Sequence, residues 1–204
     1  MTLPSHFYAM VDTAGGHEPV ALATTMLDAG VRIMQLRLKD VSGRDLLAAA
    51  RSIADMCRRR NAMLIVNDRV DIAMLANAHG VHLGQEDLPL DAARRIAGQD
   101  MIIGVSTHSV EQTRIAERGG ANYIGFGPMY AGGLKHIAAG QGLDRLREVR
   151  AAVTVPIVAI GGITEGRVPE VLAAGANAAA IITDVVSAPD VAAKVRSILA
   201  LARD

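Results

Sequence analysis

Two short apolar runs break off at a carboxylate about twenty residues apart, Leu64-Ile65-Val66-Asn67-Asp68 and Val81-His82-Leu83-Gly84-Gln85-Glu86-Asp87. A continuous Val/Ile/Leu run is the pattern of a buried parallel strand, and α/β proteins place their chemistry just past the carboxyl ends of such strands. Asp68 and Asp87 are therefore candidate partners in one site. Asp68 taken alone is equally well explained as a cap on the following helix. A cap does not explain why several other strand candidates also end in polar residues suited to a phosphorylated anion.

Gln35, Arg37 and Lys39 follow the second strand candidate at alternating positions, so they project to one side if the strand persists that far. A Lys/Arg pair at a strand end is by itself an ordinary solvated rim. Beside carboxylates, it suits a diphosphate held with a magnesium ion, where metal and side-chain cations share the charge. Gly161-Gly162-Ile163 offers backbone N–H groups to an anion at the place where parallel barrels commonly bind phosphate. Ser106, after Ile103-Gly104-Val105, is a candidate donor to a phosphate or a ring nitrogen, or else caps a turn. Lys135 and His136 follow Gly127-Pro128-Met129-Tyr130 on a stretch, 132–142, that reads as a mobile loop able to close over a ligand.

The elements that must position these residues repeat. A helical stretch ends in glycine and leads into a β-rich run at Gly30, Gly80, Gly119-Gly120 and Gly175, glycine supplying the left-handed residue past each helix. Strands are expected at 6–12, 31–36, 62–66, 80–83, 101–105, 121–126, 156–160 and 177–182. Helical patterns fill 42–60, 88–97, 110–117, 143–151, 164–173 and 191–202, with Ser42, Ser109 and Thr164 as N-caps and Gln112 at the capping-box position. The expected fold is α/β, a single-domain (β/α)8 TIM barrel over 1–204 with its active site at the carboxyl ends of the strands. An open doubly wound sheet is the competing architecture, but Asp12-Thr13-Ala14-Gly15-Gly16 lacks the G-x-G-x-x-G dinucleotide turn.

Half of the 204 residues are hydrophobic, enough for one large core. Lys plus Arg balance Asp plus Glu at 21 each, and two Phe, three Tyr and no Trp leave few stacking platforms, which argues against nucleic acid. No stretch approaches a membrane span and no secretory leader pattern opens the chain, so a cytoplasmic protein is expected. Small-molecule substrates are the expected partners, with a homo-oligomer left open. The single cysteine, Cys57, lies in a helical pattern and reads as a buried structural thiol. His82, inside a strand, reads as a satisfied imidazole, and His108 and His136 receive no catalytic role.

Gln35-Leu36-Arg37-Leu38-Lys39, Val66-Asn67-Asp68, Val81 to Pro89, Gly104-Val105-Ser106-Thr107-His108-Ser109, Tyr123 to Pro128 and Val158 to Ile163 together resemble the thiamine-phosphate synthase family, over about residues 6–200 and in the family's order. The resemblance implies a transferase that joins hydroxymethylpyrimidine diphosphate to thiazole phosphate, giving thiamine phosphate and diphosphate. It implies that Asp68 and Asp87 hold Mg2+. Gln35, Arg37, Lys39 and Asn67 would contact the pyrimidine diphosphate, with Ser106 and Lys135 also meeting the diphosphate. Arg37, Lys39, Ser106 and Lys135 are the implied catalytic set, and Gly162, Ile182 and Thr183 would sit at the thiazole phosphate. The family's reaction passes through a pyrimidine methyl cation, so the site must stabilise departing diphosphate and keep water away, with the thiazole nitrogen as nucleophile.

Two departures stand out. Tyr130-Ala131-Gly132-Gly133-Leu134-Lys135 lacks the threonines that family members carry before the loop lysine. Losing a hydrogen bond to a charged group costs about 1.5 to 3 kcal/mol unless glycine N–H groups substitute. In Ile181-Ile182-Thr183-Asp184, Asp184 stands where relatives have a small residue, and is expected to cap the final helix region or face away. Two alternatives are a thiazole tautomerase-like enzyme of the same family, against which the Asn67-Asp68 and His82 to Asp87 blocks argue, and a non-catalytic thiamine-precursor-binding paralogue.

Overall fold

The computed structural model describes residues 1–132 and 139–202. Eight strands form a closed barrel in sequential order: β1 Phe7–Asp12, β2 Ile33–Arg37, β3 Met63–Asn67, β4 Gly80–Leu83, β5 Ile102–Thr107, β6 Tyr123–Phe126, β7 Ile157–Ile160 and β8 Ala178–Ile181. Every neighbouring pair is parallel, and β8 closes on β1. Helices alternate with the strands: α1 Pro19–Asp28, α2 Gly43–Arg59, α3 Val70–Leu75, α4 Leu90–Ala97, α5 Val110–Arg118, α6 Gly142–Ala152, α7 Val168–Ala173, α8 Thr183–Val186 and α9 Val191–Leu201. The expected (β/α)8 barrel is the observed fold.

Period-two alternation sorts the strand side chains into two cores. Phe7, Ala9, Val11, Met34, Leu36, Leu64, Val66, Ile124 and Phe126 face outward and pack with the helices in one large cluster. Tyr8, Met10, Ile33, Ile65, Tyr123, Val158, Ala178 and Ala180 fill the barrel interior. The inward phase, continued up each strand, reaches Gln35 and Arg37 on β2, Asn67 on β3, His82 on β4 and Ser106 on β5, so the candidate residues emerge above the inner core.

Two strands run further toward the mouth than the sequence suggested. β2 ends at Arg37, paired with Asp12, and β5 ends at Thr107, paired with Phe126. Ser106 and Arg37 therefore sit on ladder-held backbone rather than in loops. Ser42 caps α2 through Asp45 N, and Ser109 caps α5 through Gln112 N. The Gln112 side chain accepts from His108 N, one residue before the position a capping box would use. Thr164 makes no cap: the 3-10 turn Glu165–Arg167 precedes α7, and Asp184 Oδ2 accepts from Glu165 N at 2.8 Å instead. The helices α1 and α3 precede Gly30 and Gly80, where helical stretches were expected without bounds, and α8 was not expected. Cys57 is buried in α2, and burial pushes its thiol up to about 11, as suits a structural residue.

Candidate active site

A cavity of about 1450 Å³ opens at the carboxyl ends of the strands. Gln35, Arg37, Lys39, Asn67, Asp68, Asp87, Ser106, Gly162, Ile182 and Thr183 all line it. Lys135, Gly133 and His136 lie outside the described residues. Among the described residues flanking these, Gln141 N donates to Pro128 O at 2.7 Å and Gly142 N to Met129 O at 3.0 Å. Gly142 opens α6 rather than belonging to the loop.

On one side stands an acidic pair. Asp68 has φ +63°, a left-handed corner between β3 and α3 that Asp tolerates better than most residues, and its N–H donates to His82 O at 2.8 Å. It is not the cap of α3, whose N-cap position is Arg69. Its carboxyl meets that of Asp87, which also accepts from Gly84 N at 2.6 Å. Burial, then the hydrogen bond and charge of Asp87, push Asp68 up to about 6, while Lys39 and Arg37 pull it down. Two carboxylates pressed together repel each other, and a divalent cation between them would relieve that. Among the described residues no three or more His, Cys, Asp or Glu cluster as a metal site. A cation here would complete its shell from substrate oxygens and water, as Mg2+ commonly does.

On the neighbouring strand, Arg37 is held by a residue that no motif signalled. The buried Asp12 carboxylate accepts from the Arg37 guanidinium, and its other oxygen accepts from Ala14 N at 2.9 Å. Strand pairing places these two directly opposite, so they could have been joined only by supposing β1 beside β2.

The far end of the cavity is built by loops after β6, β7 and β8. Gly161 and Gly162 have φ +98° and +66°, and a Cβ on Gly161 would lie 2.7 Å from Pro128 Cα. Arg167 donates to Gly162 O at 2.6 Å and lies 4.0 Å over the Tyr130 ring, whose hydroxyl donates to Glu170 at 2.5 Å. Arg167 adds a cation at this end that sequence reasoning missed. Asp184 lines the cavity and does not cap the final helix, which Asp190 does. It is occupied by Glu165 N and by Lys194 Nζ of α9 at 3.5 Å, since strand β8 delivers it beside the turn after β7.

The floor is polar and uncharged. Buried Gln35, Tyr8, Tyr123 and His82 are linked by hydrogen bonds to Ser106. His82 is thus a satisfied imidazole, and its burial pushes it down to about 4, which keeps it neutral.

A closed parallel barrel whose mouth joins an acid pair, two cations and a glycine turn after the seventh strand defines a barrel enzyme of phosphorylated substrates. The comparisons say which. The family model for thiamine monophosphate synthase matches residues 7–185, and the chain belongs to that family. It is similar to the thiamine-phosphate synthase of Methanospirillum hungatei, 46% identical over 186 residues covering 90% of this chain and 89% of that one. The Pelotomaculum thermopropionicum thiamine-phosphate synthase is 42% identical over 187 residues, covering 91% and 86%. The structure of a thiamine phosphate pyrophosphorylase from Pyrococcus furiosus superposes with a TM-score of 0.90 at 31% identity, covering 97% of this chain and 95% of that chain.

Proposed function

We propose that the cavity is an active site in which a pyrimidine methyl diphosphate and a thiazole phosphate are joined to give thiamine phosphate and diphosphate. The observation that carries this is the meeting of Arg37, Lys39, Asp68 and Asp87 in one cavity that continues to Gly162. One end of the cavity would take the diphosphate and the other the phosphate, with the two rings between them.

In the reaction, the bond from the pyrimidine methylene carbon to the diphosphate oxygen breaks and the thiazole nitrogen's lone pair forms the new C–N bond. The chain's part is to bind and orient, and to stabilise the charge gathering on departing diphosphate. Arg37 and Lys39 face that charge, Asn67 and Ser106 offer neutral donors beside it, and Lys135 is placed by family likeness on the loop above. Gln35 reaches the pyrimidine side. Mg2+, held by Asp68 and Asp87, would neutralise diphosphate oxygens when bound. At the other end, Gly162, Ile182 and Thr183 receive the thiazole phosphate.

The retained acid pair and cations support the synthase over a tautomerase-like or non-catalytic reading, since neither needs them. No helix among the described residues is long and apolar enough to cross a membrane. A cytoplasmic location and Mg2+ dependence remain part of this proposal. The deciding experiment is thiamine phosphate formation by the purified protein from the two substrates, with Mg2+ and then with EDTA. Metal-dependent product is expected, and absence of product while both ligands bind would overturn the reading.

A further inference from the structure

The cavity floor carries a continuous line of hydrogen bonds that begins at the Gln35 amide. Gln35 Nε2 donates to Tyr8 Oη at 3.1 Å. The Tyr8 and Tyr123 hydroxyls are 2.8 Å apart, Tyr123 Oη is 3.0 Å from His82 Nδ1, and His82 Nε2 is 2.9 Å from Ser106 Oγ. These residues come from β2, β1, β6, β4 and β5, so only closure of the barrel joins them.

With the Gln35 amide nitrogen turned to Tyr8, proton counting sets which way the line runs. Each hydroxyl and each neutral imidazole has one proton to give. With Tyr8 Oη receiving the Gln35 N–H, the Tyr8 proton has Tyr123 Oη as its buried acceptor, and the Tyr123 proton then goes to His82 Nδ1. The imidazole proton must sit on Nε2, where it is donated to Ser106 Oγ. Ser106 receives one bond from below and keeps its own proton for whatever occupies the cavity. Running the line the other way would turn the Tyr8 proton toward the Gln35 N–H, setting donor against donor in a fully buried place, where an unmade bond is costly.

Strand positions without side chains make the line sterically feasible. A Cβ on Gly104 would lie 2.1 Å from Tyr123 Cζ, and one on Gly125 would lie 3.0 Å from His82 Cε1. Both ring nitrogens of His82 lie against hydroxyl oxygens, which suits an uncharged ring with one accepting nitrogen.

We propose that Tyr8 and Tyr123 are positioning residues that lock His82 as its Nε2–H tautomer, so that the Ser106 hydroxyl is presented to the pyrimidine diphosphate as a hydrogen-bond donor. The role assigned to Ser106 rests on the synthase reading; the tautomer does not. Ser106 then favours a ligand atom that accepts, a ring nitrogen or a diphosphate oxygen, over one that donates.

The test is 15N NMR of the full chain with labelled histidine, the His82 signals being assigned by their loss in His82→Gln. The expected result is a protonated Nε2 and an unprotonated Nδ1. In Tyr123→Phe the Nδ1 partner is gone, so the His82 signals should move toward a mixture of tautomers. The same variant should lose about tenfold in kcat/KM for the pyrimidine diphosphate while KM for thiazole phosphate stays unchanged. An Nδ1–H tautomer in the wild type overturns the proposal, as does a folded Tyr123→Phe with unchanged His82 signals. Should Tyr123→Phe fail to fold, the wild-type tautomer alone decides. Should the wild type lack synthase turnover, the synthase reading fails while the tautomer is still read.

Discussion

Asp12 and Arg37 face each other across the β1–β2 ladder, and the buried Asp12 carboxylate holds the Arg37 guanidinium at the wall of the cavity. A long cation used on a substrate gains from being fixed beforehand, because its rotamer freedom is lost before the ligand arrives. Asp12→Asn should keep the bond from Ala14 N but lose the charged partner. Steady-state kinetics should show kcat/KM lower by roughly tenfold or more, the worth of a charge-assisted bond, with the circular dichroism spectrum unchanged. Unaltered kinetics would show that Arg37 needs no such support.

Asp68→Ala should abolish Mg2+-dependent product formation while leaving the fold intact, since the residue holds a polar rim rather than a core position. Turnover retained by this variant with Mg2+, and lost with EDTA, would move the metal site elsewhere.

The neutral, buried His82 makes a pH prediction. Its pKa in the fold is about 4, below the ordinary 6.5, so between these values the unfolded chain binds the extra proton and the folded chain does not. Its contribution to stability is therefore full above about pH 6.5 and is lost as pH falls toward 4, a change on the order of 3 kcal/mol. Urea unfolding across this range should show the slope, and His82→Gln should flatten it. An equal slope in the variant would assign the effect to other groups.

Lys135→Ala should lower turnover more than it weakens thiazole phosphate binding, because the lysine is assigned to the departing diphosphate. Equal losses, measured by kinetics and by calorimetric titration, would give the loop another role.

Gly104→Ala is expected to cost about 1 to 3 kcal/mol of stability, since its methyl group would overlap the Tyr123 ring. Thermal unfolding measures this directly. A neutral result would mean that Tyr123 can leave its place on the barrel floor.

How far the sequence could be read follows from which contacts are local. Strand order was legible because each βα unit carries its own apolar run, and several a glycine between helix and strand, as at Ala173-Ala174-Gly175-Ala176 before β8. Gln35 and Arg37 were legible because alternation on one strand is enough to place them. Asp12 was not, as its meaning depends on the partner strand, and the motif test applied there asked only about a dinucleotide turn. Tyr8 and Tyr123 look like ordinary members of apolar strands, and their hydroxyls meet only when the barrel closes across 115 positions of sequence. Asp184 was expected near the last helix because the chain continues there, yet its carboxylate serves Glu165, on the turn after the preceding strand.

The two-faced strands have a consequence for descent. Alternate side chains on one strand serve different masters: those packed on the helices need only be apolar and of suitable bulk, whereas those turned inward bear on the ligand. Drift can therefore accumulate on the outer face, with helix and strand adjusting to each other, and never reach the mouth. A structure 31% identical to this chain superposes on it with a TM-score of 0.90. Percentage identity taken over the whole chain weighs both faces alike, and so does not measure how much of the inner face two relatives hold in common.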